Sequence, residues 1–182
     1  MDNPELKAEA DCLIDGCGLP GLLASYSAWF IGGSYSYDLM CWRDLDIYVL
    51  EPTHDLKRCF EFGYELTRRV NAKRANFRNQ LGSEPHGLYW GIRLGEILEG
   101  AWKLDVWFLD EAGYNNHIAY TERIRHDLTP ETKSAILAIK EALWRHPSFR
   151  KTITSDLIYR SVFDCDVRSV AEFEEFIKVK GS

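Results

Sequence analysis

The chain has 182 residues, 46% of them hydrophobic and 13% aromatic, ample material for a packed core and incompatible with a disordered protein. A formal net charge of −6 argues against a protein that coats nucleic acid, although a local basic patch can coexist with an acidic whole. Five cysteines without a CxxC point to reduced thiols buried in apolar surroundings, and the N-terminal stretch MDNPELKAEADCLIDGCGL carries neither a basic leader nor a long apolar run, so a cytoplasmic protein without a membrane span is expected.

In chain order, Asn3 and Pro4 form a cap-and-first-turn pair, and Leu6, Ala10, Leu13 and Ile14 keep helical spacing up to Gly16 and Gly18. That pattern predicts a first helix over about 4–15. Leu22 to Ala24 adds a turn, and Ser27 to Ile31 reads as a short buried strand running into Gly32-Gly33-Ser34. The next strand, DLDIYVL, alternates: Leu45, Ile47 and Val49 face a core while Asp44, Asp46 and Tyr48 face away from it. Pro52 and Thr53 mark a turn, after which Leu56, Cys59, Phe60, Tyr64, Leu66 and Val70 predict a helix from about Asp55 to Val70 with a basic end. KRANFRNQL and LYWGIRL flank the turn GSEPHG, and AWKLDVWFLD follows the loop GEILEG, which together read as an antiparallel meander.

The remainder reads as helical. Thr129 caps, Pro130 takes the first position, and Ile136, Leu137, Ile139, Ala142 and Leu143 form the apolar stripe. Ser155 is expected to cap a short helix through Phe163, and Asp166 another through Lys178. The expected fold class is α+β (α/β), a mixed β-sheet flanked by helices with further helices at the C-terminus. It is read as one domain over 1–182, its core at about 19–110 and its helical part at about 117–180.

Two carboxylates on one strand face repel, which raises one pKa or demands a cation between them. Asp105 repeats the anomaly in WKLDVWFL, where Lys103, Asp105 and Trp107 share the face opposite Leu104, Val106 and Phe108. If the two strands lie side by side, Asp44, Asp46 and Asp105 make an oxygen-rich site suited to Mg²⁺. The glycines of Gly32-Gly33-Ser34 let backbone N–H groups approach a phosphate closely, and Ser34 adds a hydroxyl. Metal-bearing carboxylates facing a phosphate cradle are what two-metal phosphoryl or nucleotidyl transfer requires.

Ile31-Gly32-Gly33-Ser34, a short spacer, Asp44-Leu45-Asp46 on a strand and Asp105 on a later hydrophobic strand resemble the pattern of the nucleotidyltransferase superfamily related to DNA polymerase β. The resemblance covers roughly Ser27 to Leu109. It implies Mg²⁺-dependent transfer of a nucleoside monophosphate from a nucleoside triphosphate, with Asp44 and Asp46 as shared metal ligands and Asp105 holding the ion that activates the acceptor. In size and acidity the chain is similar to the small antibiotic-modifying members, the lincosamide and aminoglycoside nucleotidyltransferases. Their spacer carries an Arg a few residues ahead of the carboxylate pair, whereas here Arg43 directly precedes Asp44 and points to the opposite face.

A second candidate group is the basic set Arg68, Arg69, Lys73, Arg74 and Arg78, with Arg74, Asn76 and Arg78 on one strand face and Arg93 on the hairpin partner. Arg74 and Arg78 are read as clamps for the triphosphate or for an anionic acceptor, the alternative being a solvated strand face. Trp90, Trp102 and Trp107 are candidates to stack a base or to pack the core, Trp107 being the one that shares a face with Asp105. The histidines show no ligand spacing and are read as surface residues. The sequence thus predicts transfer of AMP from ATP, with two Mg²⁺ ions, to a hydroxyl of a small molecule, with no long nucleic acid and no membrane as partner and the oligomeric state open. A protein or RNA acceptor, and a nucleotide-binding regulator without turnover, are the alternatives.

Overall fold

The computed structural model describes residues 4–83 and 86–180, Lys180 by its backbone alone. The expected cap at Asn3 and the Glu84-Pro85 step of GSEPHG lie outside the described residues. In chain order the elements are α1 (Pro4–Gly16), α2 (Leu19–Leu23), β1 (Trp29–Gly32), α3 (Gly33–Ser36), β2 (Asp44–Leu50), α4 (Leu56–Arg69), β3 (Arg74–Asn79), β4 (Leu88–Arg93), a 3₁₀ turn (Ile97–Glu99), β5 (Lys103–Leu109), α5 (Glu111–Asp127), α6 (Pro130–Leu143), α7 (Ser155–Cys165) and α8 (Val170–Lys180). Among the described residues no helix is long and apolar enough to cross a membrane.

The strands form one sheet in the order β1-β2-β5-β4-β3. β2 and β5 run parallel, and the other neighbours run antiparallel, so β3, β4 and β5 are the expected meander and the sheet is mixed. Period-two alternation splits its faces. One face buries Leu45, Ile47, Val49, Leu104, Val106 and Phe108 completely or nearly so, packed with Leu6, Leu19, Leu23 and Leu66 from α1, α2 and α4. Removing each such side chain from water is worth about 1.5–3 kcal/mol. α4 seats against β4 through Gly63, where a Cβ would meet Trp90 Cε2 at 2.3 Å. Trp90 Nε1 donates to the Cys59 carbonyl at 3.0 Å, so Trp90 is a core residue, and Trp102 is buried in the same cluster.

A second apolar cluster joins the stretch after α3 (Tyr37, Leu39, Trp42) to the C-terminal helices through Ile136, Leu143, Ile158 and Phe173. Here the sequence reading needs correction in detail. α5 is a separate 17-residue helix capped by Asp110, whose carboxylate accepts from Gly113 N at 2.8 Å. It buries only Tyr114, Thr121 and Ile124, so its periodicity is faint. Thr154 rather than Ser155 caps α7, accepting from Leu157 N at 3.1 Å. Asp166 ends α7 in a left-handed conformation (φ 56) instead of starting α8. α8 is entered through Ser169 and Glu172, which accept from each other's backbone N–H at 3.3 and 3.1 Å. On α6, Ala142 is exposed and Lys140 takes the buried face. The cysteines are all free, but only Cys17 and Cys59 are buried; Cys12 and Cys165 are exposed.

Candidate active site

Register across the sheet builds the site on the face opposite the main core. Gly32, Asp46, Asp105, Gly91 and Asn76 form one lateral row through all five strands. Asp44, Lys103, Arg93 and Arg74 form the row on one side of it, and Phe30, Tyr48, Trp107, Tyr89 and Arg78 form the row on the other. Directly paired residues on one face hold their Cβ atoms about 5 Å apart, so Asp46 and Asp105 are immediate neighbours and Asp44 adjoins them.

Burial pushes the Asp46 carboxyl up to about 8, and the charges of Asp44 and Asp105 add to the shift. Burial likewise raises Asp105, with Asp44 adding to it and Lys103 opposing. Lys103 donates to Asp44 Oδ1 at 3.1 Å and, closely, to Asp105 Oδ2; all three side chains are 15% exposed. Burial pulls the Lys103 amine down, but the Asp44, Asp105 and Asp46 carboxylates outweigh it and leave it raised. Tyr89 OH donates to Asp105 Oδ1 at 2.7 Å and Trp42 Nε1 to Asp44 Oδ2 at 3.3 Å.

The donor set fits a hard oxygen-ligated cation: three carboxylates and no thiol or imidazole, with an ammonium standing in between two of them. As the side chains stand, no three His, Cys, Asp or Glu among the described residues close on a common point, and Lys103 lies against two of the three carboxylates.

Beside Asp46 the chain turns at Gly33, which has φ +60 and where a Cβ would meet Asp46 Oδ2 at 2.0 Å. At Gly32 a Cβ would meet the Tyr48 ring at 2.7 Å. The turn therefore demands glycine twice, and it brings bare backbone up to the carboxylates. α3 is only four residues long, so individual N–H groups rather than a helix dipole are what the turn offers. Ser34 Oγ accepts from Lys140 Nζ at 2.6 Å and lies 3.2 Å from Tyr159 OH. Lys140 is fully buried, donates also to the Leu39 carbonyl at 2.6 Å and sits 4.8 Å from the centre of the Trp42 ring. Among the described residues it pairs with no carboxylate, so a positive charge lies directly behind the glycine turn. Sequence reasoning missed Lys140.

A cleft of about 410 Å³ opens in front of the turn. Gly33, Ser34, Asp44 and Asp46 form one wall, and Asn116, His117, Tyr120, Ser155, Asp156 and Tyr159 of α5 and α7 form the other. His117 stacks on Tyr48 with ring centres 4.1 Å apart, and burial lowers its pKa. The expectation of a surface histidine therefore fails at this position.

The structure does not bring Arg74 and Arg78 to this cleft. They lie on β3, the edge opposite β1, four strand spacings or about 19 Å from the glycine turn. Arg78 packs over the Tyr89 ring (5.4 Å), which itself tilts against Trp107 (4.7 Å). Arg68 and Arg69 pair with Glu65, and Arg43 is held by Glu9 at 2.6 and 2.9 Å, turned away from the site as expected.

No protein-family model matches the chain, and no curated protein matches it. Solved structures do. A cytoplasmic RNA terminal U-transferase matches at 16% identity over 89% of this chain and 46% of its own, with a TM-score of 0.57. A variant of Cid1 poly(U) polymerase bound to MgATP matches at 16% identity, over 88% and 50%, with a TM-score of 0.61. A further Cid1 structure, described by its RNA terminal uridylyl transferase activity, matches at 17%, over 89% and 47%, with a TM-score of 0.59. The chain spans about half the length of these structures. The mixed five-stranded sheet with its flanking helices is thus a fold that this chain shares with these terminal U-transferase and poly(U) polymerase structures.

Proposed function

We propose that the protein is a Mg²⁺-dependent nucleotidyltransferase that moves a nucleoside monophosphate, AMP from ATP in the first instance, onto a hydroxyl. The observation that carries this reading is the lateral row Gly32, Asp46, Asp105, in which a glycine turn adjoins paired carboxylates. Asp44, Asp46 and Asp105 would hold Mg²⁺, as two ions, whose chemistry there is to acidify the acceptor hydroxyl and neutralise the triphosphate. Gly33 and Ser34 bind phosphate oxygens through N–H and hydroxyl groups, and Lys140 supplies positive charge through Ser34. The ring pair Tyr48 and His117 gives the cleft an apolar wall for a base or ribose. Free cysteines and the lack of a membrane-length helix among the described residues are compatible with the cytoplasm, the compartment proposed here.

The nucleotide fills the helix-covered end of the sheet, so the acceptor approaches across β5, β4 and β3. A small-molecule hydroxyl is the first reading of that acceptor, resting on the acidic net charge. An RNA 3′ end is the second, favoured by Trp107, Tyr89 and Arg78 in one row and Arg93 and Arg74 in another, an aromatic strip beside a cationic one. It also accords with the RNA-directed activities for which the structural neighbours are named. The test is incubation of the purified protein with each labelled nucleoside triphosphate and Mg²⁺, offering an RNA oligomer with a free or a blocked 3′ hydroxyl and, separately, a pool of small hydroxyl compounds. Label in the free-ended oligomer alone selects RNA, and label in the small-molecule pool selects the first reading. Failure of every triphosphate with every acceptor would sink the enzyme.

A further inference from the structure

Lys103 has no part in the chemistry proposed above, yet it occupies the centre of the site. Parity puts it on the face of Asp105, and the parallel register sets it directly beside Asp44. Its ammonium bonds one carboxylate from each strand, and its side chain is 15% exposed. The point between Asp44 and Asp105 is also where an ion held by carboxylates of both β2 and β5 would be drawn. Two cations cannot occupy it together, since at a few ångströms in a partly buried site like charges repel by several kcal/mol.

We propose that Lys103 is a tethered cation that keeps this place in the metal-free protein and is displaced when metal enters, a role that rests on the metal-site reading above. The arrangement has a consequence in each state. Without metal, the ammonium offsets the repulsion between Asp44 and Asp105, the two carboxylates it bonds, and leaves Asp46 the least compensated of the three. It also holds Asp44 and Asp105, one from each strand, on a single shared partner. Metal, in turn, has to break two charge-assisted hydrogen bonds before it can bind, which lowers affinity for the free ion. A nucleoside triphosphate brings its own phosphate oxygens as further ligands. A lysine suits the role where an arginine would not: its ammonium is compact and its stem flexible enough to swing out toward the open sheet face.

The experiment titrates Mn²⁺, without nucleotide, into the wild-type protein, Lys103→Met and Asp46→Asn, and records the melting temperature of each in chelator. Lys103→Met should melt lower than wild type yet bind Mn²⁺ at least tenfold more tightly, and Asp46→Asn should weaken binding. If Asp46→Asn weakens binding while Lys103→Met leaves it at the wild-type level, the metal site stands and the proposal falls. If no protein binds Mn²⁺ saturably, both fall. Should Lys103→Met not fold, the wild-type protein suffices. Acylation of the Lys103 amine, followed by mass spectrometry of its peptide, should rise on adding Mn²⁺. Equal labelling with and without saturating Mn²⁺ means that the ammonium stays in place beside the ion and overturns displacement.

Discussion

Replacing Asp46 with Asn in the metal-free protein should stabilise the fold, and by an amount that grows with pH. The folded protein holds the Asp46 proton up to about 8, with burial as the main cause and Asp44 and Asp105 behind it, whereas the ordinary value for an aspartate is 3.8. Between those values the folded state binds more protons than the unfolded one, so stability falls as pH rises through this window. Each unit is worth about 1.4 kcal/mol, which sets a ceiling of about 5–6 kcal/mol. Asp46 is partly exposed and its charge interacts with those of Asp44 and Asp105, so a gain of about 2 kcal/mol near pH 8 is the working figure. Near pH 5 the gain should shrink to roughly a third, because most of the window lies above that pH. Urea unfolding at the two pH values in chelator measures both numbers, and Mg²⁺ should then stabilise the wild type and not the variant. A variant less stable than wild type near pH 8, or a gap that does not narrow near pH 5, refutes the carboxylate-repulsion argument.

Three further outcomes follow from the same geometry. Gly33→Ala forces a side chain into a left-handed backbone and against Asp46 Oδ2; it should cost about 1–2 kcal/mol from φ alone and abolish triphosphate binding by calorimetry. Lys140→Met removes a buried charge that no carboxylate offsets among the described residues, so the melting temperature should change little while nucleotide affinity drops at least tenfold in a fluorescent-analogue titration. Arg78→Ala and Trp107→Ala should raise the KM for acceptor severalfold and leave the KM for nucleotide unchanged, since both residues lie on the open part of the sheet; a changed nucleotide KM would return them to the triphosphate.

What the sequence could disclose was face, and what it could not disclose was lateral order. Alternation assigned Asp44, Asp46, Asp105, Arg74 and Arg78 to one polar face, because strand parity depends only on spacing along the chain. Distance across a sheet depends on which strands neighbour each other. β5 inserts between β2 and β4, which sets Asp105 beside Asp46 and sends Arg74 and Arg78 to the far edge. Parity alone therefore could not tell whether Arg74 and Arg78 lie near the glycine turn or far from it.

Lys140 was hidden by its residue type rather than by its position. Ile136, Ile139 and Leu143 define the buried face of α6, and Lys140 lies four residues after the first and three before the last, squarely on that face. Ala142, six residues after Ile136, falls on the far side, where the structure finds it exposed. A lysine at such a position costs desolvation unless hydrogen bonds hold it, and here it has three: Ser34 Oγ, the Leu39 carbonyl and Tyr159 OH. Two of those partners come from the stretch that follows β1 and the third from α7. One ammonium thus ties the glycine turn, through Ser34, to the C-terminal helices that wall the cleft. The helical part is in this way joined to the glycine turn through a charge, which lies behind Ser34 rather than in the cleft itself, so an anion bound at the turn would be stabilised by it at one remove.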